Sequence, residues 1–300
     1  MRIRSQPGSL LMERRMGDFG LQILISAVNK DVSLMPKRMN LESDAVIVNQ
    51  LIGEKAPIGD DSQELNGDVA YGAAMEKDSS FSYEEHEVRV ITRREKGVGL
   101  SRNTALEAAD KEIIQFGDDD IVYSRGYADK ILSEFEKHPE ADVLLFNVKQ
   151  QPGRETYHNT DYKQISWYNY GRYPAYAICA RRQKIIDSGV RYSLLFGGGA
   201  PYMNGEDSLF LHDCLKAGLK LYRTPVKIGE EQPGESTWFK GYTDKFFFDR
   251  GVLYHFLYGK AAALWGFRFL FKNRNEMCRK KGFAVCYRLL LNGVRHGRTL

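Results

Sequence analysis

Short apolar runs alternating with helix-like segments predict an α/β chain: a mixed, mainly parallel sheet flanked by helices, followed by a C-terminal helical extension. Three observations carry this. Residues 21–28 (Leu-Gln-Ile-Leu-Ile-Ser-Ala-Val) and 44–48 are short, apolar and end in polar residues, as strands buried on both faces do. Further strand-like runs at 87–91, 112–116 and 142–148 are separated by helix-like stretches at 99–109 and 124–138. Beyond Gly241 the composition turns aromatic and basic.

The remaining elements follow in order. The connection between the first two runs is short and contains Pro36, which argues against a full helix there. A polar, Tyr-rich stretch occupies 151–173, then a strand is expected at 175–180 and a helix at 182–188. A helix from near Glu206 to Gly218 leads to a strand at 219–223 closed by Pro225, and two long helices are expected at 243–271 and 277–294.

At 300 residues and 43% apolar content, one large domain with an appendage is the expectation. The net charge is only +4, but residues 241–300 hold 12 Lys/Arg against 3 Asp/Glu, so the positive charge is concentrated in that fifth of the chain. Cys179, Cys214, Cys278 and Cys286 form no CxxC pair, which disfavours a zinc site or a disulfide framework and suits a reducing compartment. The first twenty residues are basic without an apolar core long enough for a signal peptide, and Met12 and Met16 allow a later start.

Asp118-Asp119-Asp120 follow Ile-Ile-Gln-Phe-Gly directly, so three carboxylates emerge where a buried strand reaches the edge of the sheet. Ligands bind beyond the carboxyl ends of such strands, and oxygen ligands there suit a hard cation such as Mg²⁺ or Mn²⁺. An acidic turn, or an N-cap for the helix near Ser124, is the other reading of the triplet alone. Ahead of it, residues 96–109 read Lys-Gly-Val-Gly-Leu-Ser-Arg-Asn-Thr-Ala-Leu-Glu-Ala-Ala.

This helix, strand and acidic triplet resemble the corresponding segment of family 2 glycosyltransferases, which have the GT-A fold. The resemblance covers roughly residues 21–240. It implies a catalytic domain there, with a nucleotide-binding half at 21–150 and an acceptor half at 151–240, after a flexible segment at 1–20 and before the extension at 241–300. It makes Asp118 and Asp120 the DxD metal ligands, with Asp119 beside them at the donor. In the family an acid ending the second strand contacts the nucleobase; Asn49 and Gln50 stand at that place, and an amide can also hydrogen-bond a uracil edge. Arg93, Lys96 and Arg102 flank the start of the helix at Gly99, where anions are favoured, so Arg102 in particular is a candidate for the donor diphosphate, against a solvated basic turn.

Residues 196–211 join a Gly-Gly-Gly loop to a helix whose first turn bears Glu206 and Asp207. Acids in a first turn are commonly caps. The stretch nonetheless resembles the glycine loop and Glu-Asp motif that follow the DxD site in GT-A enzymes, which implies Asp207 as general base, Glu206 beside it, and Gly198, Gly199 and Tyr202 at the acceptor. Some such enzymes add a downstream histidine to the metal; residues 230–237 have none, and His255 lies among apolar residues, where a core or interfacial role is expected. Gly234 and Gly241 suggest hinges for a lid bearing Ser236 and Trp238.

The resemblance thus implies an inverting, metal-dependent transferase using a nucleotide-sugar donor, a UDP-sugar favoured, and a glycan or lipid-linked acceptor, in bacterial cell-surface polysaccharide or glycolipid assembly. A cytoplasmic enzyme, peripheral on the inner face of the membrane, is expected. The basic aromatic tail reads either as an anionic-membrane contact or as helices packed on the domain, without nucleic-acid motifs. Two alternatives are a degenerate GT-A scaffold and a sugar-phosphate nucleotidyltransferase; the latter needs a glycine-rich phosphate loop after the first strand, and Ala27-Val-Asn-Lys30 is not one.

Overall fold

The computed structural model describes residues 20–53, 77–234 and 241–300. The segment expected to be flexible, except Gly20, and the lid residues Ser236 and Trp238 lie outside the described residues. In chain order the elements that build the sheet and its cover are β1 (Leu21–Val28), α1 (Met35–Met39), β2 (Asp44–Gln50), β3 (Lys77–Tyr83), β4 (His86–Arg93), α2 (Val98–Ala108), β5 (Ile113–Asp118), β6 (Ile121–Tyr123), α3 (Tyr127–Lys137), β7 (Val143–Lys149), β8 (Lys163–Gln164), β9 (Ile178–Arg181), α4 (Arg182–Ser188), α5 (Glu206–Lys216) and β10 (Leu221–Glu231).

The sheet runs β3-β4-β2-β1-β5-β9-β7-β10-β6, with β8 on β10. Pairs β1–β2, β1–β5, β2–β4 and β7–β10 are parallel, as expected from the alternation. β3, β6, β8 and β9 enter antiparallel, which makes the sheet mixed. Both faces are covered. On one, Leu24, Val46, Val48, Ile114 and Phe116 pack with Ala105 and Leu106 of α2 and Phe210 of α5. On the other, Ile23, Ile25, Ala45 and Ile47 pack with Tyr127, Ile131 and Phe135 of α3. Successive side chains of β1 therefore serve opposite layers, as the period of two requires.

Four boundaries differ from the sequence expectation for identifiable reasons. Residues 175–180 begin as a turn of 3₁₀ helix and become β9 only at Ile178. β10 does not stop before Pro225 but continues to Glu231, because the ladder to β7 shifts register between Arg223 and Lys227 and the proline needs no partner there. The expected helix at 243–271 is broken at Gly259, with φ of 51°, into α6 (Asp244–Tyr258) and α7 (Ala262–Lys272). The last expected helix starts later, as α9 (Phe283–Gly297), after the single turn α8 (Arg274–Met277) and Gly282 at φ 79°.

α6 and α9 form a third core with α5 and the loop ahead of it: Phe196, Tyr202 and Leu209 pack against Phe247, Leu253, Leu290 and Val294. The helices touch backbone to backbone. A Cβ on Gly251 would lie 1.9 Å from the Leu290 carbonyl oxygen, and one on Gly293 1.9 Å from that of Phe248. Gly293→Ala should accordingly lower stability by about 1–3 kcal/mol through overpacking, read as a lower urea midpoint. At an ordinary helical site the same change raises stability by roughly 0.5–1 kcal/mol, so a raised midpoint would refute the close approach.

Candidate active site

β1 lies between β2 and β5, so the direction of winding changes at its carboxyl end, where an open α/β sheet has its crevice. Ser26 of β1 sits opposite Asp118 of β5. Beyond these strand ends stand Lys30 and the triplet Asp118, Asp119 and Asp120. Lys30 Nζ is 3.1 Å from Asp119.

The side chain that organises the site is Arg102. Its guanidinium is 4% exposed and donates to Asp118 Oδ1 at 3.0 Å and to Asp207 Oδ1 at 2.7 Å, with Glu206 Oε1 at 3.5 Å. The end of β5 and the start of α5 meet here through one cation. An aromatic base supports the arrangement. Phe116, two residues before Asp118, contacts Tyr192 at 5.1 Å and Phe210 at 5.4 Å, and Tyr192 stacks on Phe210 at 4.3 Å. Phe210 is one helical turn beyond Asp207, and the Arg102 guanidinium lies 5.0 Å above the Tyr192 ring. Asn103 fixes Tyr192 from the adjoining position: it donates to the Tyr192 carbonyl at 2.9 Å and accepts from its amide at 2.8 Å.

Burial decides the charge states. It opposes the Arg102 charge, but Asp207 and then Asp118 outweigh it and hold the guanidinium protonated well above its ordinary range. Burial pushes the Asp207 carboxyl up to about 7; Arg102 counters this, while Glu206 and Asp118 add to it. Asp119 is raised by enclosure, opposed by Lys30. Asp120 stands open to solvent, yet enclosure and the carboxylates of Asp118, Asp119 and Glu231 push it up to about 7 as well.

Among the described residues no three His, Cys, Asp or Glu side chains form a preformed cage for a metal. Mg²⁺ and Mn²⁺ need no such cage, since one or two carboxylates and ligand phosphates suffice. The residues present suit that type of ion: hard oxygen donors only, with repulsion at Asp120 that a cation would relieve.

Other candidates are placed less openly. Asn49 donates to the Lys30 carbonyl at 2.9 Å and accepts from its amide at 3.2 Å, so its amide is closed onto the chain beyond β1. The start of α2 is covered, not vacant: Val98 N donates to the Gly198 carbonyl at 2.8 Å and Gly97 N to Gln50 Oε1 at 3.3 Å. Gly199, at φ 83°, crosses so near that a Cβ would meet Lys96 Cγ at 2.8 Å. Gly198 and Gly199 thus close the loop over α2. Tyr202 is buried in the third core with its hydroxyl 2.7 Å from His296 Nε2. Arg93 is paired with Asp78 of β3 at 2.7 Å. His255 is half-buried and packs against Gly297 of α9.

Sequence reasoning overlooked Lys30, Tyr192 and Glu231. Glu231 lies far along the chain but reaches Asp120 because β10 pairs with β6 and Gln232 N donates to the Asp120 carbonyl at 2.8 Å. The strand beyond Pro225 carries it there, and no motif announced that strand.

Comparisons with known proteins agree with this architecture. Residues 73–192 match the model of the family described as glycosyl transferase family 2. Among solved structures, S. aureus TarS 1-349 in complex with UDP-GlcNAc is similar at TM-score 0.54 and 13% identity, covering 86% of this chain and 73% of that one. The same protein in complex with UDP gives 0.52 and 13%, over 87% and 74%. No curated protein matches the sequence. The family resemblance is thereby shown over its segment, and the GT-A fold over most of the chain.

Arg102→Ala should cost about 3–5 kcal/mol, because carboxylates from two elements lose their buried partner. Without that cation Asp207 rises further above its unfolded value of about 4, so the variant's folded state holds a proton that the unfolded chain releases. Its deficit should be larger at pH 8 than at pH 5 in denaturant melts; an equal deficit at both would remove Arg102 from this role.

Proposed function

We propose that this chain, a GT-A fold carrying a glycosyl transferase family 2 segment, is an inverting glycosyltransferase that moves a sugar from a nucleoside-diphosphate donor to a hydroxyl of a glycan or glycolipid. The observation that carries the reading is the sharing of Arg102 between Asp118 and Asp207, which supports a metal-side carboxylate and a base at one crevice. A UDP-sugar is favoured, a preference resting on the neighbours crystallised with UDP-GlcNAc and UDP.

Asp118 and Asp120 would hold a divalent ion, Mn²⁺ or Mg²⁺, with Asp119 and Lys30 completing the donor side. When bound, that ion offsets the charge gathering on the departing nucleoside diphosphate. Asp207 accepts the proton of the acceptor hydroxyl as its oxygen bonds to the anomeric carbon and the bond to the diphosphate breaks on the opposite face. A carboxyl pushed up to about 7 is well suited to take that proton near neutral pH. Glu206, behind it and near Arg102, adds negative charge that keeps Asp207 basic. Arg102 is buried among carboxylates, so it acts as a positioning residue, and an accessible cation beside the triplet is Lys30.

The closed amide of Asn49 favours a second reading, a GT-A-like scaffold that binds glycans without transfer. Calorimetric titration with nucleoside diphosphates, with and without Mn²⁺, separates the two: the transferase binds UDP in a metal-dependent way, whereas the scaffold binds none. Asp207→Asn should retain that binding and lower transfer by roughly 10²–10⁴-fold; full transfer by the variant would exclude Asp207 as base. For the unaltered enzyme, kcat/KM should fall about tenfold per pH unit below 7 as the base takes up its proton, and a flat profile from pH 5 to 8 would count against it.

A further inference from the structure

The extension carries two different surfaces. α6 lies in the third core, and α7 buries Ala262, Gly266 and Leu270 against it. The other side of α7 is apolar too: Leu264, Phe267 and Phe271, at helical spacings of three and four, are 71%, 42% and 52% exposed. The stripe continues onto α9, since Phe267 contacts Phe283 at 5.3 Å and Tyr287 at 5.5 Å. A helix packed on a domain with its outer face in water would be polar there; an exposed, contiguous aromatic stripe marks an interaction surface.

The charges around it indicate what it meets. From residue 259 to 300 the only acidic residue is Glu276, and it accepts a hydrogen bond from Tyr242. Lys281 is paired with Asp244, and the Arg274 guanidinium lies 4.3 Å above the Phe271 ring. Arg268, Lys272, Lys280 and Arg288 are exposed and make no ion pair among the described residues. Like charge on both sides opposes docking of this face onto its own copy. No helix among the described residues is long and apolar enough to cross a membrane. Aromatic side chains at head-group depth, rimmed by cations over lipid phosphates, fit an interfacial contact. We propose that the α7–α9 face docks the protein on the surface of an anionic phospholipid bilayer. This is independent of the transferase reading.

The test is co-sedimentation of the full chain with phosphatidylcholine vesicles, with and without phosphatidylglycerol, at low and high salt. Binding only to the phosphatidylglycerol vesicles, reversed by salt, is expected. Arg268→Gln/Lys272→Gln/Lys280→Gln should weaken it on the order of a hundredfold at low salt. Phe267→Ser/Phe271→Ser should abolish measurable binding, with circular dichroism reporting the fold. Should that variant unfold, Leu264→Ser, on a side chain with little packing, should still weaken binding severalfold. No binding by the unaltered chain, binding that survives the charge variant, or a dimer in light scattering that the phenylalanine variant dissociates would each overturn the proposal. Titration with UDP and Mn²⁺ on the same variants should be unchanged, which keeps failure here distinct from failure of the enzymatic reading.

Discussion

The site depends on a buried cation that must not be left alone. Arg102 is nearly inaccessible to water, and an unpaired guanidinium there would cost far more than the fold can spare. It is satisfied by carboxylates of β5 and α5, the latter 105 residues along the chain from Arg102, so the pairing fixes where α5 begins relative to the end of β5. The surrounding chain conforms to that demand. Gly197, Gly199 and Gly205 adopt positive φ and pass within contact of Glu206, Lys96 and Leu253, where a side chain would not fit. Phe116, Tyr192 and Phe210 set the depth at which the charges lie.

One cation does not neutralise what it gathers. Asp118, Asp207 and Glu206 share Arg102, Lys30 answers Asp119, and Asp120 faces further acids with no cation of its own among the described residues. The excess negative charge has a cost in stability, and it has two chemical consequences. It raises Asp207 into the range useful for proton transfer near neutral pH, and it leaves Asp120 in a state that a divalent ion improves. Sites of this kind trade folding energy for reactivity.

The C-terminal helices pack on the loop that leads into α5. Asp249 of α6, 1% exposed, accepts from Met203 N at 2.9 Å and pairs with Lys245, which in turn donates to the Pro201 carbonyl at 2.8 Å. Leu253 fills the space beside Gly205, and His296 of α9 meets the Tyr202 hydroxyl. The loop that delivers Glu206 and Asp207 is thus held from behind by α6 and α9. The glycine contacts between those two helices set how firmly it is held.

Local pattern alone determined the strand-helix alternation, the acidic triplet at a strand end and the Glu-Asp helix start, because apolar periodicity and first-turn acids act over a few residues. The Arg102-Asn103 pair was also legible as part of a motif, but its work was not: direction depends on which side of α2 is buried, and that is set by Tyr192 and Asp207 from distant chain. Tertiary structure likewise placed Tyr202 in a core, brought Glu231 beside Asp120 through an antiparallel ladder, and divided the basic tail into a buried α6 and an exposed α7 face. Such outcomes rest on long-range pairing and on which surface is left after packing, and a one-dimensional reading carries neither quantity.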